Sequence, residues 1–259
     1  MECRIRLVIV ATALIVAAGS LMARPIFAAT ATAESQPAEP RSRSHSGATG
    51  HEAGGRLVEG KAAYKYLCYL PAGYDTQAKF WPTIIFLHGA CSDEELEKLK
   101  RFGPVKFALE QKNFPFIVVA PATAKGWDVR LFDDFLKRIQ RQFRVDRNRI
   151  YLTGVSMGGH ATWRLAMVYP NRFAAIAPVS GAGNPQHAAE LLRRLPIWII
   201  HGENDTVVPV ELARRMTRAL EQVGGNVKST IYPDRGHDAF IPAYDAPELY
   251  QWLLKHSKH

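Results

Sequence analysis

Short, almost continuous apolar segments alternate with amphipathic segments along the chain from about residue 57 onwards. Apolar runs of this length, bounded by glycine, proline and polar turn residues, are typical of strands that are buried on both faces of a parallel sheet. The predicted strands are 64–70, 83–87, 116–120, 150–153, 174–179, 197–200 and 228–232.

The segments between these strands have the hydrophobic period of helices. Residues 133–143 repeat large apolar side chains at spacings of three and four residues, which places those side chains on one helical face. The other predicted helices are 94–109, with an interruption at Gly103-Pro104, 160–168, 210–223 and 247–255. Strands that alternate with helices predict an α/β fold, with a mostly parallel central sheet and helices on both faces. Ligands of such sheets bind beyond the carboxyl ends of the strands.

The first 56 residues differ in character from the rest. Arg4 and Arg6 precede an uncharged apolar run at residues 7–21, and small residues follow it, as in an export signal. We therefore predict a signal peptide at 1–28, a flexible linker rich in small and polar residues at 29–56, and a folded α/β domain at 57–259. Because the run is shorter than the roughly 20 residues that cross a bilayer as a helix, we expect a secreted or periplasmic protein without stable membrane insertion. A retained N-terminal anchor is the open alternative.

Charge and composition narrow the range of partners. The chain has 259 residues, of which 47% are hydrophobic and 22% charged, as in an ordinary globular protein. Its net charge of +9 favours anionic partners. However, the arginines at residues 138–149 lie among aspartates, and no nucleic-acid-binding motif accompanies them, so we expect no nucleic-acid partner.

The cysteines do not indicate a metal site. No cysteine–histidine cluster has the spacing of a zinc site, so we expect no bound metal. Cys68 and Cys91 are either a disulfide formed in an oxidising compartment or two buried thiols, and the sequence leaves both readings open.

The strongest chemical signal is Gly154-Val155-Ser156-Met157-Gly158, which lies between a predicted strand and a predicted helix. A serine in this strand–turn–helix setting is held on a strained turn with its hydroxyl above the sheet edge. The glycines keep side chains out of the packed corner. Ser156 is therefore the predicted nucleophile, and the alternative is a tight turn with a bystander serine.

A serine nucleophile needs a base, and the base needs a carboxylate to orient it. With this kind of nucleophile the acid and then the histidine follow the serine along the chain. Asp205 comes directly after the predicted strand 197–200, with Glu203 as its rival and helix capping as its alternative role. His237 is the one of the nine histidines that follows both Ser156 and Asp205 in a loop after a strand. It is the predicted base, and a surface-loop histidine is the alternative.

Acyl transfer also needs backbone N–H donors for the oxyanion. The amide of Met157, which follows the nucleophile, is one predicted donor. The second should come from the loop His88-Gly89-Ala90-Cys91 after strand 83–87, where we choose Ala90, with Cys91 next. The alternative is that His88-Gly89 forms only a turn at the end of the strand.

Several segments resemble the small carboxylesterases of the α/β-hydrolase superfamily. The closest resemblance is to the phospholipase/carboxylesterase and "predicted peptidase" esterases, which are related to feruloyl and acetylxylan esterases and to polyhydroxybutyrate depolymerases. It covers about residues 60–255 and is carried by Phe86-Leu87-His88-Gly89, Gly154-Val155-Ser156-Met157-Gly158-Gly159, His201-Gly202-Glu203-Asn204-Asp205 and Gly236-His237-Asp238-Ala239-Phe240. One departure is Cys91, where relatives often have a second glycine.

The resemblance implies the α/β-hydrolase fold, a Ser156–Asp205–His237 triad, and Ala90 and Met157 as oxyanion donors, without a cofactor or metal. It also implies an ester substrate, either a small molecule or an acetyl or feruloyl ester carried by a polysaccharide. His88, Cys91 and Trp127 are candidate cleft residues; Trp127 either stacks on substrate or packs in the core. The segment 180–196 is too short for a large cap domain, which predicts an open cleft.

Other functions stay open at this point. A serine peptidase of the prolyl-oligopeptidase type would use the same triad, and an acyltransferase would differ only in excluding water. A non-catalytic binding module is the alternative from a different class of protein.

Overall fold

The computed structural model describes residues 55–90 and 96–258. The predicted signal peptide, the predicted linker up to residue 54, and Cys91 lie outside the described residues. Cys68 lies buried on a strand as a free thiol, and burial raises the pKa of that thiol.

The described chain forms one eight-stranded sheet, with the order β1-β2-β4-β3-β5-β6-β7-β8. β1 and β2 are antiparallel to their neighbours, and the other strands are parallel, which confirms the predicted mostly parallel sheet. The strands are β1 (Arg56–Lys61), β2 (Lys65–Leu70), β3 (Trp81–Leu87), β4 (Ile117–Ala122), β5 (Val145–Val155), β6 (Ala175–Val179), β7 (Ile197–Gly202) and β8 (Val227–Tyr232).

Helices cover both faces of the sheet. Phe135, Trp163 and Met216, from three different helices, lie in the core on one face. Phe107 and Tyr250 lie in the core on the other face. The helices are α1 (Leu96–Leu99), α2 (Gly103–Glu110), α3 (Val129–Gln142), α4 (Met157–Val168), α5 (Pro185–Leu191), α6 (Val210–Gln222), α7 (Phe240–Asp245) and α8 (Pro247–Leu254).

Some elements differ from the sequence-based expectation. β1, α5 and α7 were not predicted, because the first is a half-exposed edge strand and the others are only seven and six residues long. Pro121 was expected to end a strand at residue 120, but β4 continues to Ala122. β3 pairs with β4 only as far as Val119, so one side of Pro121 lies beyond that ladder, and a proline is tolerated there.

The start of α3 has a local cause. Asp128 is extended, and its side chain accepts hydrogen bonds from the amides of Arg130 and Leu131 at 2.8 and 2.9 Å. An aspartate in this position satisfies amides that have no partner within the helix. The helix therefore begins at Val129, four residues before the predicted start.

We expect Gly158→Ala to lower the free energy of unfolding by about 4 kcal/mol or more, or to prevent folding. A Cβ on Gly158 would lie 2.0 Å from the carbonyl oxygen of Leu87, because α4 begins directly against the end of β3. Urea unfolding measures this loss. The control is Gly224→Ala, where φ is 65° but no atom lies within 4 Å of the added Cβ. There we expect a loss of only about 1 kcal/mol from the backbone, and equal losses would contradict the steric explanation.

Candidate active site

Ser156 lies at the turn between β5 and α4. Its backbone has φ 56° and ψ −117°, a region that residues other than glycine rarely adopt, at a cost of about 1–3 kcal/mol. The turn is held by its neighbours, since the amide of Ser156 donates to the carbonyl of Val179 at the end of β6 at 3.0 Å. This conformation lifts the hydroxyl out of the sheet edge.

The three predicted triad side chains come from the ends of three different strands and meet in one place. Ser156 Oγ lies 2.9 Å from Nε2 of His237, which is in the loop after β8. Nδ1 of His237 lies 2.9 Å from Oδ2 of Asp205, in the loop after β7. Because the carboxylate only accepts, Nδ1 carries a hydrogen and Nε2 is free to accept the serine proton.

Asp205 is fixed by several donors. Its side chain is fully buried, and Oδ1 accepts from the amides of Val207 and Val208 at 2.9 and 2.8 Å. Its rival Glu203 instead forms a half-exposed ion pair with Arg214 at 2.6 Å. α6 begins only at Val210, so the amides that Asp205 satisfies precede the helix, and its remaining oxygen faces His237.

A second imidazole contacts the same carboxylate. Nε2 of His201 lies 2.8 Å from the carbonyl oxygen of Val208 and 3.3 Å from Oδ2 of Asp205, so this nitrogen carries the hydrogen. The side chain is completely buried, and desolvation lowers the pKa of His201 below its ordinary value. No role in the site was predicted for His201, because its contact with Asp205 depends on how the loop after β7 folds back on the strand.

We expect the stability of the protein to fall with pH below about 6.5, partly through His201. The unfolded histidine binds a proton near its ordinary pKa of 6.5, whereas the folded one binds it only at lower pH. Acid therefore favours the unfolded state, by at most about 1.4 kcal/mol per pH unit for one group. His201→Gln keeps an N–H donor but cannot titrate. Urea unfolding at pH 7.5 and pH 5 should show a smaller loss in this variant than in the wild type, and identical losses would refute the assignment.

The loop after β3 passes directly beside the serine. A Cβ on Gly89 would lie 3.3 Å from Cβ of Ser156, so this loop brings the amide of Ala90 to the same side of the molecule. His88 holds the loop, because its Nε2 accepts from the amide of Thr123 at 3.1 Å and its Nδ1 contacts the carbonyl oxygen of Gly89 at 2.6 Å. His88 is buried and packs edge-to-face against Trp127, which lines the cleft, and its assignment as a cleft residue stays a prediction.

A cleft of about 800 Å³ opens beside Ser156. Trp127 lines it but is only 4% exposed, and its Nε1 donates to the carbonyl oxygen of His88 at 3.2 Å. Its ring packs edge-to-face against Tyr64 and His88, so Trp127 is mainly a packing residue that forms part of the wall. Lys125, His160 and Arg164 also line this wall and were not predicted to do so. The last two follow Ser156 at intervals of four residues, a spacing that could have indicated them.

Within 55–90 and 96–258 there is no group of three or more histidine, cysteine, aspartate or glutamate side chains arranged to hold a metal ion. Over the same residues, no helix has the length and apolarity needed to cross a membrane.

The sequence of this chain is similar to those of known proteins over the part that contains the site. The sequence profile of the phospholipase/carboxylesterase family matches residues 128–241, which include Ser156, Asp205 and His237. A bifunctional acetylxylan esterase/xylanase of Neocallimastix patriciarum is 30% identical over 136 residues, 49% of this chain and 20% of that protein. Acyl-protein thioesterase 1 of Neurospora crassa is 26% identical over 215 residues, 66% of this chain and 86% of that protein.

The fold has counterparts among solved structures. The crystal structure of a thermostable esterase matches with a TM-score of 0.65 and 29% identity, covering 79% of this chain and 63% of that one. This chain thus spans about a fifth of the acetylxylan esterase/xylanase and less than two thirds of the thermostable esterase. Together with the sheet order and the helices on both faces, these matches show that the chain belongs to the α/β-hydrolase superfamily and resembles its phospholipase/carboxylesterase family over residues 128–241.

Proposed function

We propose that this protein is a secreted serine esterase that hydrolyses carboxylic esters through an acyl-enzyme on Ser156. The observation that carries the proposal is the continuous chain of contacts at 2.9 Å from Ser156 Oγ through His237 to Asp205. Such a relay converts a weakly nucleophilic hydroxyl into an acyl acceptor at neutral pH.

In the first step His237 Nε2 takes the proton of Ser156 as Oγ attacks the ester carbonyl carbon. The negative charge that develops on the carbonyl oxygen is stabilised by the amides of Met157 and Ala90. Collapse of the tetrahedral intermediate breaks the ester C–O bond, and His237 returns the proton to the departing alcohol. Asp205 stabilises the imidazolium during the transfer.

The second step repeats the first with water. His237 removes a proton from a water molecule, whose oxygen attacks the acyl carbon. The bond to Ser156 then breaks, the serine recovers its proton from His237, and a carboxylic acid leaves. No cofactor or metal takes part in the proposed cycle.

Ester groups on plant polysaccharides are the proposed substrates. An open cleft without a large cap suits an ester borne by a polymer, since β6 and β7 are joined only by the short helix α5. The sequence identity to an acetylxylan esterase/xylanase also favours acetyl esters. Export by the predicted signal peptide would bring the enzyme to such polymers.

Labelling with a fluorophosphonate, followed by peptide mass spectrometry, tests the proposed nucleophile. We expect one adduct, on Ser156, and none in a Ser156→Ala variant. Absence of an adduct on Ser156 would favour a binding module instead.

A panel of p-nitrophenyl esters, acetylated and feruloylated xylans and peptide amides then tests the reaction. Preferential cleavage of the amides would indicate a peptidase instead of an esterase. Acyl transfer to added alcohols in preference to water would indicate an acyltransferase.

A further inference from the structure

The cleft beside Ser156 has an uneven charge distribution. Lys125 and Arg164 line it together with the imidazole of His160. Among the described residues in its wall, Asp128 is the only one with a carboxylate. That carboxylate already accepts two amide hydrogen bonds at the start of α3. Two cationic side chains therefore line the cleft. The one carboxylate beside them already accepts hydrogen bonds at the start of α3.

These cations are not neutralised by other side chains. Elsewhere on this face of the protein, Lys137 and Arg172 both form ion pairs with Asp133. Within residues 55–90 and 96–258, neither Lys125 nor Arg164 forms an ion pair with a carboxylate. The guanidinium of Arg164 instead donates to the carbonyl oxygen of Trp127, which fixes its position without removing its charge.

The position of the charge relative to the nucleophile follows from the helix. Ser156 directly precedes α4, and His160 and Arg164, four residues apart within α4, lie on one side of the helix and line the same cleft as Ser156. With a rise of about 1.5 Å per residue, His160 and Arg164 are about 6 and 12 Å from Ser156 along the axis. Nδ1 of His160 lies 2.9 Å from both the amide nitrogen and the carbonyl oxygen of Ala182, which holds the ring against the segment after β6.

We infer that the cleft binds esters that carry a carboxylate about one sugar or one aromatic ring away from the scissile ester bond. The inference rests on the proposed esterase function and names its substrate class. Such esters include acylated polymers of uronic acids and monoesters of aromatic dicarboxylic acids. The two cations and one carboxylate leave about one net positive charge, which matches a single carboxylate. The net positive charge of the chain would also speed the approach of a polyanion.

Two matched substrate pairs test this inference. The first pair carries the charge on the alcohol side: 4-carboxyphenyl butyrate and 4-carbamoylphenyl butyrate. The second carries it on the acyl side: the mono-4-nitrophenyl ester of terephthalic acid and the corresponding monoamide. In each pair the carboxamide has nearly the shape of the carboxylate but no charge. The measured quantity is the ratio of kcat/KM for the charged and neutral members.

In the Lys125→Gln/Arg164→Gln double variant we expect this ratio to fall about tenfold for at least one pair. Because both residues line the cleft, the neutral members report any general change in kcat/KM, and the ratio removes that change. Lys125→Glu alone, which leaves the contact between Arg164 and Trp127 intact, should lower the same ratio further than Lys125→Gln alone. In the wild type, added salt should reduce the preference for the charged member, because it screens exposed charges. Lys112→Gln is the control, since Lys112 is exposed and does not line the cleft, and it should leave the ratio unchanged.

The outcomes separate this inference from the proposed function. Unchanged ratios in the double variant and in Lys125→Glu, with neutral esters still hydrolysed, would overturn the carboxylate inference and leave the esterase standing. If none of the four esters is hydrolysed and Ser156 is not labelled by a fluorophosphonate, the proposed esterase function is wrong. The inference about its substrates then fails as well.

Discussion

Replacement of Ser156 by alanine is expected to lower kcat for ester hydrolysis by on the order of 10⁶-fold. The change removes the atom that forms the acyl-enzyme, and nothing else in the contact chain through His237 can replace it. The measurement is steady-state hydrolysis of p-nitrophenyl butyrate by purified wild-type and variant proteins at equal concentration. A fluorophosphonate-treated wild-type sample sets the background rate.

The alanine variant should remain folded. The methyl group fits where the serine side chain lies, and the structural role of the residue is its backbone bond to Val179, which alanine keeps. Circular dichroism and urea unfolding should therefore give curves close to those of the wild type. Full esterase turnover in this variant would show that the acyl-enzyme forms elsewhere or not at all.

Replacement of Asp205 by asparagine is expected to lower kcat by on the order of 10⁴-fold. The amide oxygen of the new side chain would keep the bonds from Val207 and Val208, because those donors need an acceptor. Its NH2 group would then face His237, so the ring would accept at Nδ1 and carry its hydrogen on Nε2. In that tautomer His237 cannot take the proton of Ser156.

Asp205→Asn would also place the new NH2 group against His201, because Nε2 of His201, which carries a hydrogen, lies 3.3 Å from Oδ2 of Asp205. Two donors would then face one another in a site without water access, so we expect a loss of stability in addition to the loss of rate. Glu203→Gln is the matched control, two residues away on the same loop. Because Glu203 pairs with Arg214 at the surface, we expect a change in kcat of less than about threefold. A larger loss in Glu203→Gln than in Asp205→Asn would reverse the assignment of the acid.

Most of the fold could be predicted because its strands are buried on both faces. In β3 and β7 every residue is buried, and such strands are continuous apolar runs in the sequence. The positions of Ser156, Asp205 and His237 could be predicted for a related reason. Each follows directly after a parallel strand, and the carboxyl ends of parallel strands share one edge of the sheet.

Other features depend on contacts between distant segments. Glu203 and Asp205 follow the same strand, and only the orientation of α6, which brings Arg214 to Glu203, separates them. The burial of Trp127 depends on Tyr64, just before β2, and on His88, just after β3. α7 was missed because it has six residues and contains a proline, so its sequence has no clear helical period.

The hydrogen bond from Trp127 to the carbonyl oxygen of His88 has a consequence for attempts to redesign this protein. It joins the wall of the cleft to the residue just before Gly89 and Ala90, the loop that carries a proposed oxyanion donor. A substitution that reshapes the wall at Trp127 will therefore also move that donor relative to the reacting carbonyl. Variants selected for new substrates at this position should lose turnover together with their old selectivity, whereas changes at Lys125, on the same wall but without this bond, should alter selectivity alone.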